Sequence, residues 1–227
     1  MTIKLTIQRK LFALSFLGLG FVVAVGATGF FAASRLASSA EQIANSGSAL
    51  KSQLQADQAH DALRSDVLAA LLAGEKKDAA EQKAVRGDLE DHAKLFRESL
   101  KRLEALPLDD ATRQAVGKIK PALIAYLESA TTVVGLAFTD RAAAQAKMGD
   151  FLVAFKSLEK EMAALSDLIE EQAKQTQVAS DSMSAAAKFT IVAAVVLSVG
   201  VLLVIGGLVS RSIVGPIKRA VQIAETV

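Results

Sequence analysis

Two stretches of this chain, Leu11–Ala33 and Phe189–Val209, contain no charged residue. At about 1.5 Å per residue, either run crosses a hydrocarbon core of roughly 30 Å as a helix. Lys4, Arg9 and Lys10 precede the first run, and Arg211, Lys218 and Arg219 follow the second. The excess of basic residues at both outer flanks predicts that both termini are cytoplasmic and that 34–188 faces the other side. A cleaved signal peptide is the alternative for the first run, but such apolar cores span only about 7–15 residues. Gly18, Gly26 and Gly29, with Gly200, Gly206 and Gly207, offer places where the spans can approach closely.

The rest of the composition fits this division. Apolar residues make up 52% of the chain and charged residues 22%, so apolar blocks alternate with strongly polar ones. The net charge of +2 gives no reason to expect a nucleic-acid partner. The absence of cysteine excludes disulfides, thiolate metal sites and Cys nucleophiles. Three Pro, no Trp and one Tyr, amid many strong helix formers, point to an all-α chain.

Between the spans, apolar residues recur at steps of three and four, with no alternating strand pattern. Three breaks divide the segment: Gly74 with Glu75–Asp78; Pro107 followed by Asp109 and Asp110; and a third between Phe138 and Asp150, where Thr139, Asp140 or Asp150 can cap a helix. The predicted helices are 34–73, 78–105, 109–137 and 140 or 150 to 188. Short connections make this an up-down-up-down four-helix bundle. The expected inward rows are Leu50, Leu54, Leu68 and Leu71 on the first helix and Val85, Leu89, Phe96 and Leu103 on the second. Those on the third are Val116, Ile119, Leu123, Tyr126 and Val133, and on the fourth Phe151, Phe155, Leu158, Met162, Leu165 and Ile169.

After the second span, Ile213, Ile217, Ala220, Ala224 and Val227 alternate steps of four and three, as a coiled-coil seam does. Gly215-Pro216 is expected to interrupt the helix there, since Pro lacks an N–H and disfavours helix before it. A Pro in this place after a membrane helix resembles the first helix of a HAMP domain. The whole layout resembles the N-terminal half of a methyl-accepting chemotaxis receptor. The stretch His60-Asp-Ala-Leu-Arg-Ser-Asp-Val67 is similar to the first sensor helix of such receptors with four-helix-bundle domains.

The resemblance implies a cytoplasmic tail 1–10, spans 11–33 and 189–209, a periplasmic bundle 34–188, and an incomplete HAMP helix 210–227 that stops before the connector and second helix. It implies a homodimer in the bacterial inner membrane that senses a small-molecule effector and signals through the second span. The chemotaxis kinase and adaptor would be reached only through a cytoplasmic region that this sequence lacks. A histidine kinase or membrane-bound cyclase can carry the same front end, and a non-sensing dimeric membrane anchor is the rival of another class.

No phosphate loop, nucleophile elbow or zincin helix occurs, so no catalytic residue is expected. Asp57, His60, Asp61 and Arg64 share one side of the first helix, with Asp57, Asp61 and Arg64 continuing its leucine row. With the first hairpin turning near Lys76, His60 and His92 lie at one height, and Arg64 lies level with Asp88. Three readings stay open. The first is a polar layer fixing register, with an Arg64–Asp88 ion pair. The second is a pocket in which Arg64 grips an anionic effector. The third is a metal or haem site at His60 and His92, although no cofactor is required. Gly215 and Pro216 are the expected joint for signal transmission.

Overall fold

The computed structural model describes residues 6–225, so Lys4 and Val227 lie outside the described residues. It contains four helices: α1 (Ile7–Lys76), α2 (Ala79–Glu104), α3 (Asp110–Ala137) and α4 (Arg141–Glu225). There is no strand among the described residues. They form two compact units. One comprises the residues up to Ala40 and from Ala179 onward; the other is Glu41–Val178.

In the first unit, α1 and α4 each supply a segment long and apolar enough to cross a membrane. Lys10 Nζ donates to Ser212 Oγ at 3.1 Å, joining the two segments. The six glycines expected to ease span packing meet nothing within 4 Å of where a Cβ would stand, so they mediate no close approach within one chain. The expected interruption at Gly215-Pro216 is also absent. Helix α4 continues to Glu225 with Pro216 inside it. Proline removes one N–H and presses on the carbonyl four residues back, here Ser212, which weakens a helix without ending it in a membrane-type setting.

In the second unit, each connection is set by an identifiable cap. Asp78 accepts hydrogen bonds from Ala80 and Glu81 N–H to start α2. Asp109, after Pro107, accepts from Thr112 N–H at 2.7 Å to start α3. Asp140 accepts from Ala143 N–H at 3.0 Å to start α4. Asp150 is therefore interior to α4, where it pairs with Lys147.

Gly74 is not a break. Helix α1 runs through it to Lys76, and the chain reverses at Lys77, whose φ of 54° is left-handed. A Cβ on Gly74 would run into the Ala137 carbonyl oxygen, so glycine is needed there for the close approach of α1 to the end of α3.

The core follows a seven-residue repeat, which lets four helices keep one face inward along their length. Every residue expected inward on α2, α3 and α4 is buried. Helix α1 departs from expectation. Its buried row is Ala49, Ala56, Leu63 and Ala70 with Ala59, His60 and Val67, whereas Leu54 is 62% exposed and Leu68 45%. Large side chains from the other helices, including Phe96, Tyr126, Phe151 and Phe155, fill the centre. Most of the facing positions on α1 are left to alanine, with Leu63, Val67 and His60 among them.

Candidate functional site

One level of the bundle receives an aromatic ring from each helix. The His60 imidazole of α1 stacks on Phe155 of α4, with centroids 4.2 Å apart and planes 8° apart. Tyr126 of α3 lies 5.2 Å from the imidazole, and Phe96 of α2 meets it edge-on at 6.5 Å. Tyr126 also stacks on Phe151 at 5.3 Å and donates its hydroxyl proton to the His60 carbonyl at 3.0 Å. These contacts lock α1 to α3 and α4.

His60 is 2% exposed, and its Nε2 has no hydrogen-bond partner. Burial holds its pKa below the ordinary histidine value, against smaller opposing effects of the Phe155 carbonyl and of Asp61, Asp57 and Glu159. The same burial raises the Tyr126 phenol.

The other predicted residues are distributed differently. Asp57, Asp61, Arg64 and Asp88 are exposed. Arg64 makes no ion pair with Asp88; its guanidinium lies over the Phe155 ring, 4.8 Å from the centroid. His92 is partly buried and bonds through Nδ1 to Asp66 at 2.7 Å, not to His60. Burial pushes the Asp66 carboxyl up, and its contact with His92 offsets this only in part.

The misplacement has a simple origin. Because α1 extends to Lys76 and α2 starts at Ala79, the hairpin centre falls later than Lys76. A shift of two residues at a turn moves the facing partner by about one helical turn. His60 therefore meets Phe96 instead of His92.

The metal and haem reading does not fit these residues. His60 is enclosed by rings, His92 is engaged by Asp66, and no cluster of three His, Cys, Asp or Glu gathers among the described residues. Sequence reasoning missed Asp66, although it stands seven residues after Ala59 in the inward repeat. It also missed that Phe96, Tyr126 and Phe155 share one level.

Two grooves mark the bundle surface. One of about 630 Å³ lies between α2 and α3, floored by Leu100, Leu123 and Leu127 and rimmed by Arg97, Lys101 and Lys120, the last paired with Glu104. The other, about 500 Å³, lies between α1 and α4 and includes Asp57, Gln53, Leu54 and Glu159. Only the second includes one of the predicted ligand-binding residues, Asp57.

The outward face of α1 carries a further regular row. Leu50, Leu54, Asp57, Asp61, Arg64 and Leu68 follow one another at steps of four and three, and all are exposed.

No curated protein and no solved structure matches the chain. A family model described as a four helix bundle sensory module for signal transduction matches residues 4–184. With four helices, two apolar segments able to span a membrane and a match over most of its length, the chain belongs to the family of four-helix-bundle sensory modules found in methyl-accepting chemotaxis receptors.

Proposed function

We propose that the chain is the sensing front of a chemoreceptor. It works as a homodimer in the bacterial inner membrane, with both termini cytoplasmic and the bundle in the periplasm. The observation that carries this reading is the second seam on α1. A row of exposed residues at alternating steps of four and three is the pattern with which helices pair, and within one chain its leucines stay exposed. Two copies meeting about a two-fold axis would bury Leu54 and Leu68 and face Arg64 toward acidic Asp57 and Asp61.

The polar centre of this seam suits an effector better than a purely structural contact. An arginine fork pairs two oxygens of a carboxylate or phosphate. The adjoining α1–α4 groove gives a small molecule room beside Asp57. To signal, the effector must bind two arrangements of the pair with different affinity. Transmission then runs along α4 through the second span to a HAMP-type coil. Pro216 is the one proline inside α4 and so its softest hydrogen-bonding point. A kinase or cyclase could use the same front end; the output domain, not the sensor, separates them.

The test is a chimera joining residues 1–227 to the signalling portion of a chemotaxis receptor. Its swimming bias is expected to shift with external small organic anions, and Arg64→Gln is expected to remove the shift. A bias that stays constant across amino acids, organic acids and phosphates would contradict the reading.

A further inference from the structure

We propose that His60 makes the outer bundle a proton sensor, in which acidification outside the membrane puts a proton on Nε2 and loosens the layer where α1 meets the other helices. The outside location rests on the topology proposed above; the proton site itself does not.

The imidazole is buried and stacked on Phe155, and its Nε2 has no hydrogen-bond partner. In the neutral ring with its proton on Nδ1, the Nε2 lone pair faces apolar surroundings. A proton taken from water onto that lone pair breaks no bond. It creates an N–H with no acceptor and a charge with little solvation, both unfavourable in a packed interior.

The neighbours do little to relieve this. On α1, Asp57 and Asp61 flank the histidine but are exposed, and solvent weakens their attraction. Arg64, also on α1, already places a cation over Phe155, the ring on which His60 stacks. On α2, Phe96 faces the ring, and His92, one turn before Phe96, is held by Asp66. On α3 the Tyr126 phenol has its hydroxyl committed to the His60 carbonyl. On α4 Glu159 is exposed.

The sign follows from burial. The folded layer holds the histidine pKa below its unfolded value of about 6.5, so an open form takes the proton first. Stability is complete above about pH 6.5 and is lost as pH falls from there toward the lower folded value. His60 and Phe155 stand on α1 and α4, the helices that also carry the apolar segments, so loosening their contact acts on the elements through which a signal would pass.

The experiment uses the full chain in lipid nanodiscs. Thermal unfolding is followed by circular dichroism from pH 7.5 to 5 for the wild type, His60→Phe and His92→Asn. The wild-type midpoint should fall by about 4 °C or more. His60→Phe, which keeps the layer aromatic, should lose at least half of that fall, and His92→Asn should keep it. An equal fall in His60→Phe overturns the proposal. Should that variant not fold, nitrogen NMR of wild-type histidines decides. His60 must titrate below about 6.5, and titration at or above that value overturns the site.

Sidedness is tested separately in cells with Gln53→Cys and Met162→Cys, since Gln53 Nε2 donates to the Met162 carbonyl at 3.2 Å. Cross-linking should follow external pH with internal pH clamped. Dependence on internal pH alone would overturn the outward topology while leaving the proton site standing.

Discussion

The two faces of α1 between Leu50 and Ala73 are built on the same spacing and do opposite things. The inward face uses alanines with Leu63, Val67 and His60, and each is buried against large side chains of the other helices. The outward face uses larger residues, Leu50, Leu54 and Leu68, with Asp57, Asp61 and Arg64 between them, and all are exposed in one chain. Residue size is therefore a poor guide to which face closes the bundle. What decides is the volume the facing helices leave. Aromatic residues on α2, α3 and α4 leave room mostly for alanines, with Leu63, Val67 and His60 fitted between them, while Leu50, Leu54 and Leu68 stay exposed.

The contrast is sharpest under truncation. Leu63→Ala empties a fully buried position and should destabilise the bundle by about 2–5 kcal/mol. Leu54→Ala, in the outward row, should change bundle stability by no more than about 0.5 kcal/mol while weakening self-association. Equal losses from the two would erase the distinction between the faces. Denaturant titration at concentrations above and below association measures both.

A smaller effect comes from the end of the inward face. Gly74→Ala pushes a methyl group into the Ala137 carbonyl and should cost about 1–3 kcal/mol, although alanine is the better helix former. A stabilised Gly74→Ala protein would show that α1 does not approach α3 there.

Smaller again is the loss of a cap away from α1. Asp109→Ala removes the acceptor for Thr112 N–H and should cost about 1 kcal/mol. The Thr112 amide holds the Asp109 carboxyl below the ordinary carboxylate value. That contribution is therefore present above about pH 4 and is lost as pH falls through the lower folded value, well below the window in which His60 acts. A pH-independent difference between wild type and Asp109→Ala from pH 6 to 2 would contradict the assignment.

These comparisons also explain what could be read from the sequence. On α2, α3 and α4 the bulky residues form one row each, and the periodic pattern leads directly to the core. Helix α1 offers two rows, and the one with more leucines, Leu50, Leu54 and Leu68, is the outer. Asp57, Asp61 and Arg64 were correctly grouped on one side, but with the face that does not close the bundle. His60 belongs to the other. The hairpin partner of His60 differs from the expected His92 because the turn centres after Lys76, and Gly74, which suggests a break by residue type, serves packing instead. Pro216 suggests a break for a similar reason, and α4 absorbs it. The spans needed no such discrimination, since an uncharged run of that length has few other uses.

The central claim is that the outward row of α1 is a subunit seam, and cysteine scanning in membranes tests it most directly. The chain has no cysteine, so each introduced thiol reports alone. Single cysteines at 50, 54, 56, 59, 63, 68 and 124 are oxidised in native membranes and covalent dimers are counted. The account predicts dimers at Leu50, Leu54 and Leu68, and few at buried Ala56, Ala59 and Leu63 or at exposed Ile124 on α3. Strong cross-linking at Ile124 with none at Leu54 or Leu68 would contradict it.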